Sequence, residues 1–151
     1  MKINIETIIE NPSVKNIFSR FNEKLFLKLA PPFPKFKLLR FDGCQIGDLV
    51  EVELSMPWGK EFWQSTIIDF KETENEIYFI DQGTILPSFL SQWNHLHRIK
   101  KSDEHHCVIS DEITMNCKYT WQIPFIYPGT YFQMFYRKSV YQNLLKNNRL
   151  K

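Results

Sequence analysis

Hydrophobic and polar positions along the chain change period several times, and the changes divide it into elements. In Lys2 to Ile9, Ile3, Ile5 and Thr7 alternate with Lys2, Asn4 and Glu6, which predicts a strand. Asn11-Pro12-Ser13 breaks that period. Asn11 suits an N-cap and Pro12 the first helical position, so Ser13 to Phe21 is expected to form a short helix with Val14, Ile17, Phe18 and Phe21 on its buried stripe. A second short helix over Glu23 to Leu29 is stopped by Pro31-Pro32-Phe33-Pro34, because a proline keeps its predecessor out of helical geometry.

From Phe36 onward strands and turns follow one another, as in an antiparallel sheet. The expected strands are Lys35 to Asp42, Asp48 to Met56, Glu61 to Lys71, Glu76 to Asp81, Gln92 to Lys101 and Cys107 to Asn116. In the second of these Val50, Val52, Leu54 and Met56 alternate with Glu51, Glu53 and Ser55, one face buried and the other wet. Gly83 to Leu90 reads as a loop around Pro87, and Ser102 to His106 as the polar tip of the last hairpin. After Pro124, Pro128 and Gly129, the residues Phe132, Phe135, Tyr136, Val140 and Leu144 recur at helical spacing. They predict an amphipathic helix over Thr130 to Lys146 with that row facing the core. The fold class is therefore α+β: a curled antiparallel sheet of about seven strands, two short helices after the first strand, and a long C-terminal helix across the concave face.

Composition supports one domain over residues 1–151. Apolar residues make up 43% and aromatics 15%, with 13 Phe, 6 Tyr, 4 Trp and only 5 Gly, which excludes disordered and low-complexity chains. Charge is nearly balanced at +2, so a dedicated nucleic-acid binder is not expected, and the runs Arg98 to Lys101 and Lys146 to Lys151 read as solvated surface. Cys44, Cys107 and Cys117 are an odd set in no CxxC spacing, which points to reduced thiols. The apolar run Ile77 to Ile80 is far short of the roughly 20 residues of a membrane span, and the first residues lack the apolar core of a signal peptide. A soluble cytoplasmic protein with no integral membrane insertion is expected.

The order of elements, with Leu29-Ala30-Pro31-Pro32, Trp63 and Ile67, Asp81-Gln82-Gly83, Trp93-Asn94-His95-Leu96-His97 and Asp111-Glu112-Ile113, resembles the START-like ligand-binding superfamily, also called SRPBCC. That group includes lipid-transfer START domains, plant proteins like the birch-pollen allergen and bacterial polyketide cyclases. The resemblance covers nearly the whole chain and is sharpest to a bacterial branch with a Trp-x-His-x-His strand followed by Asp on the next. It implies the helix-grip fold with a ligand cavity between sheet and helix. The chain departs from that branch in the loop Gly83 to Leu90, which holds Ile85-Leu86-Pro87.

The histidines carry the clearest chemical signal. Alternation turns Trp93, His95, His97 and Ile99 inward, and on the next strand Cys107, Ile109, Asp111, Ile113 and Met115. A tip at Ser102 to His106 sets Lys101 opposite Cys107 and therefore His97 opposite Asp111, predicting a His97 to Asp111 hydrogen bond beneath the long helix. The pair can be purely structural, can orient an imidazole toward a ligand's polar head, or can act as a general base on a keto substrate. No Ser or Cys is placed for a hydrolytic triad. A metal site from His95, His97, His105, His106, Cys107 and Asp111 is disfavoured because His105 and His106 belong to the hairpin tip; no metal or cofactor is assigned. Trp63, Phe79, Trp93, Phe132, Phe135 and Tyr136 are candidate cavity walls, with His95, His97, Asp111 and Ile113.

The expected function is binding or transport of a hydrophobic or amphipathic small molecule. The alternatives are a cyclase or dehydratase using His97 and Asp111, and a protein-interaction module with a filled core. A cavity of about 300 Å³ or more under the helix separates the ligand binder from the filled core. The sequence names neither a protein partner nor a ligand.

Overall fold

Seven strands form one antiparallel sheet: β1 (Lys2–Ile9), β2 (Lys35–Phe41), β3 (Leu49–Met56), β4 (Gly59–Glu72), β5 (Glu76–Ile85), β6 (Leu90–Lys101) and β7 (Cys107–Cys117). The computed structural model describes residues 1–147, so the last four residues of the basic tail lie outside it. The order β1-β7-β6-β5-β4-β3-β2 is a meander from β2 to β7 with β1 added beside β7. Helices α1 (Val14–Ser19) and α2 (Glu23–Lys28) lie between β1 and β2 in the chain, and α1 packs on β5 and β6. A 3-10 turn at Thr120–Gln122 leads into α3 (Ile123–Leu144), which packs on β1 and β7.

Strand alternation survives almost unchanged. Ile3, Ile5, Thr7 and Ile9 of β1 are buried, as are Cys107, Ile109, Asp111, Ile113 and Met115 of β7. On β4 an irregularity between Ile67 and Asp69 shifts the alternation, so Ile67 is buried, Ile68 is exposed and Phe70 returns to the core against Phe18. Chain through Gly83, Thr84 and Ile85, expected as loop, continues β5 instead.

Two helical expectations change. The side chain that caps α1 is Ser13, which accepts from the Asn16 amide. Asn11 is instead buried, accepting from Ser13 N–H and donating to the Leu145 carbonyl at 3.0 Å. Together with Arg20, whose Nη1 donates to the Leu144 and Lys146 carbonyls, it satisfies carbonyls that the end of α3 leaves without helical partners. The long helix also starts seven residues before Thr130. Pro124 sits in its first turn, where no helical N–H is needed, and Thr130 Oγ1 donates to the Ile126 carbonyl two residues before Pro128.

The core splits into two apolar clusters. One gathers Ile9, Ile17, Leu25, Ile77, Ile99, Ile109, Tyr141 and Leu145; the other Ile3, Ile5, Trp93, Ile113, Met115 and Met134. Each fully buried Ile contributes about 1.5–3 kcal/mol. Between the clusters, four elements supply polar residues: Thr7 from β1, Asp111 from β7, His95 and His97 from β6, and Arg137 from α3. This polar layer defines the candidate site.

Candidate functional site

Register brings the layer together. The hairpin pairs Lys101 with Cys107 and therefore His97 with Asp111, as the tip length predicts, while β5 pairs Asp81 with His95. Hydrogen bonding differs from expectation. Asp111 Oδ1 accepts from His95 Nε2 at 2.8 Å, whereas His97 Nδ1 stands 3.5 Å from the same oxygen without making a hydrogen bond. The close partner of His97 is Asp81, whose Oδ2 accepts from Nε2 at 2.7 Å while its Oδ1 accepts from the Trp93 indole N–H at 3.0 Å. Backbone pairing of His97 with Asp111 therefore does not decide the hydrogen bond, which the ring two residues away makes instead.

Aromatic faces fix the rings. His97 is held between Phe79, 4.4 Å away and nearly parallel, and His95, 3.6 Å away. Trp93 stands edge-on to His95 and to Trp63.

The electrostatics separate the two histidines. Burial lowers His95 to about 4, helped by the charge of His97 and only partly opposed by the carboxylates. Burial also disfavours the His97 cation, but Asp111 and Asp81 outweigh it and raise the imidazole above its ordinary value. Burial would raise both carboxyls, yet contact with the imidazoles holds Asp81 and Asp111 below the usual range. The carboxyls are therefore held in their charged form and the two imidazoles are pushed apart, His97 toward its cation and His95 toward the neutral ring. Imidazole ¹⁵N shifts should show His97 titrating at higher pH than His95, which is still neutral, with its proton on Nε2, near pH 5.5; two rings titrating together near their ordinary 6.5 would contradict this.

A cavity of about 180 Å³ opens against this layer. Its sheet wall is Val52, Trp63, Ile67, Phe79, Asp81, Trp93, His95 and His97, with Met134, Arg137 and Tyr141 of α3 opposite. Phe21, Leu25, Phe26 and Leu29 close one end, and half-buried Ala30, Pro31 and Pro34 stand at its edge. Four polar atoms here are buried without a hydrogen-bond partner: His97 Nδ1, Asp111 Oδ2, Arg137 Nε and Tyr141 Oη. Burial, with the nearby Asp111 charge, pushes the Tyr141 hydroxyl well above its ordinary value, so it remains a donor. Burial pushes the Cys44 thiol, also on the cavity wall, up to about 12.

Among the predicted wall residues, Trp63, Phe79, Trp93, His95 and His97 line this cavity. Asp111 stands behind the histidines, and Ile113 is packed in the Trp93 cluster away from it. Phe132 and Phe135 are on the exposed side of α3, and Tyr136 is half-buried off the cavity. The inward row is Met134, Arg137 and Tyr141, one position round from the predicted one; both sides of α3 are apolar, so periodicity does not choose between them. Asp81, Arg137 and Tyr141 were missed. Asp81 is two residues from Phe79, a candidate wall residue, and strand alternation puts both on one face.

Asp81, His95 and His97 each offer one donor atom within 4.8 Å of the others, a set of the kind that binds transition metals. In this structure hydrogen bonds and ring stacking hold the three. His105 and His106 are at the hairpin tip, apart from them.

No family model and no curated protein matches the sequence. Solved structures do. A START superfamily protein from Mycobacterium smegmatis superposes with TM-score 0.69 at 7% identity, over 95% of this chain and 96% of that one. The chain has the START-like fold. Norcoclaurine synthase from Thalictrum flavum, in complex with dopamine and hydroxybenzaldehyde, matches the START-like domain with TM-score 0.64 at 15% identity, over 100% of this chain and 89% of that one. The ZhuI aromatase/cyclase from Streptomyces sp. R1128 matches with TM-score 0.64 at 9% identity, over 95% and 92%. Neighbours of this START-like domain thus include cyclases, and its helix-grip architecture agrees with the expectation from sequence. Among the described residues no helix is long and apolar enough to cross a membrane.

Proposed function

We propose that the START-like domain binds a small apolar or amphipathic molecule between the sheet and α3, with its polar end at His97, Arg137 and Tyr141. At about 180 Å³ the cavity is smaller than the 300 Å³ that separates a ligand pocket from a filled core, so volume alone favours the latter. The observation that carries the ligand reading is chemical. Three buried polar atoms without partners, His97 Nδ1, Arg137 Nε and Tyr141 Oη, belong to residues that line one apolar space, and each costs about 1–3 kcal/mol if left so. A ligand group that accepts from Arg137 Nε and the Tyr141 hydroxyl removes part of that cost. The volume then limits the ligand: an apolar cavity of about 150 Å³ holds benzene, so a single substituted ring fits without movement of α3. In norcoclaurine synthase a chain of this fold holds dopamine and hydroxybenzaldehyde, which are of that size. Three free cysteines support a cytoplasmic setting.

A second reading is favoured by one observation: His97, between two carboxylates, faces the cavity with Nδ1 unpartnered, as a general acid or base would. Native mass spectrometry of the freshly purified protein should show a bound species of single-ring size; failure to hold any such molecule, added or co-purified, would sink the proposal. His97→Ala separates the two readings. A carrier loses about tenfold in affinity with the polar contact and has no turnover to lose, whereas an enzyme loses about a hundredfold or more in turnover beyond any loss in binding.

A further inference from the structure

The outer side of α3 is the largest anomaly in the molecule. Phe125, Phe132 and Phe135 lie on one helical face, with Trp121 in the turn before it, and all four are more than half exposed. Single exposed apolar residues need no explanation, but a row of four aromatics does. The row faces away from Met134 and Tyr141, which are buried against the sheet, so among the described residues it stays uncovered.

Charge along the sequence falls in the same place. The last acidic residue is Glu112; from Ile113 onward the chain has six Lys and Arg and no Asp or Glu. Lys138 Nζ lies 5.8 Å from the centre of the Phe135 ring, and Lys118 Nζ 5.9 Å from that of Tyr119, so cations flank the aromatic row. The overall charge of +2 hides this, because all 17 acids are in residues 1–112.

We propose that the outer face of α3 docks on an anionic lipid bilayer. An interfacial helix buries aromatic rings at the boundary of headgroups and acyl chains while lysines meet the phosphates; here Phe125, Phe132 and Phe135 are the rings, and Lys138 against Phe135 and Lys118 before the turn are the flanking cations, Arg137 being turned to the cavity. Basic residues near such a surface are drawn to it, and no acid from Ile113 onward opposes them. A second copy of the chain fits less well, since joining two such faces brings like charges together. Docking is peripheral and independent of what the cavity holds.

The test is co-sedimentation of the full chain with phosphatidylcholine vesicles containing about 30% phosphatidylglycerol, against vesicles of phosphatidylcholine alone. The wild type should bind the anionic vesicles, less at high salt, and Phe132→Ser with Phe135→Ser should lower the partition coefficient at least about tenfold. Both side chains are exposed, so the thermal transition should be unchanged, which a melting curve checks. Absence of wild-type binding, or equal binding by the variant, overturns the proposal. So does a wild-type dimer in solution that the variant dissolves without any effect on vesicles, which would assign the face to self-association.

Discussion

Replacing Asp111 by alanine is expected to lower the stability of the domain by about 3–5 kcal/mol, the cost of leaving a buried charge without its partner. Asp111 is 1% exposed, accepts from His95 at 2.8 Å and lies 3.5 Å from His97. Its loss leaves the His95 N–H without an acceptor and His97 with Asp81 as its one remaining carboxylate neighbour. For a chain of this size the midpoint of thermal unfolding should fall by roughly 10 °C or more. Asp111→Asn, which keeps an acceptor for His95, should lose less and serves if the alanine variant does not fold. The acid dependence follows from the depressed carboxyl. Asp111 stays charged in the folded state where the unfolded chain takes up a proton, so its contribution is present above the ordinary 3.8 and is lost as pH falls below it. The gap between wild type and variant should therefore narrow below about pH 4. A loss under about 1 kcal/mol at neutral pH would mean that the layer does not hold the two clusters together.

Filling the cavity is expected to remove ligand binding while leaving the fold. Val52 lies on the cavity wall, is 9% exposed and pairs with Trp63 across β3 and β4. An indole at this position occupies much of a 180 Å³ space, so Val52→Trp should weaken binding of a single-ring ligand more than tenfold. Its stability should stay within about 1–3 kcal/mol of wild type, the usual cost of adding atoms to a packed site. Val52→Phe should fall between the two. Unchanged affinity in Val52→Trp would show that ligand binds elsewhere.

These expectations depend on features that differ in how far the sequence revealed them. The strands were legible because one face of nearly every strand is buried, and period-two alternation then marks it residue by residue. The pairing of His97 with Asp111 was legible because the tip is short and its length sets the register. The hydrogen-bond partners were not, since side-chain reach depends on sheet twist and rotamers that no pattern encodes. Asp81 was legible in principle, because it lies two residues from Phe79 on one strand and alternation puts the two on one face. The face of α3 was misread for a stated reason: Phe132, Phe135 and Tyr136 make an apolar row as good as Met134 and Tyr141, and Arg137 makes the true inward row look polar.

The central claim is that the space between sheet and α3 takes a ring-sized ligand at the polar layer. A ¹H–¹⁵N correlation titration with 4-ethylphenol, an apolar body with one hydroxyl, tests it most directly. Saturable shifts are predicted at the Trp63 and Trp93 indole N–H and at the amides of Phe79, His97, Met134 and Arg137, and Val52→Trp should abolish them. Shifts confined to the exposed indoles of Trp58 and Trp121, or no saturable shift at the cavity residues, would contradict the account.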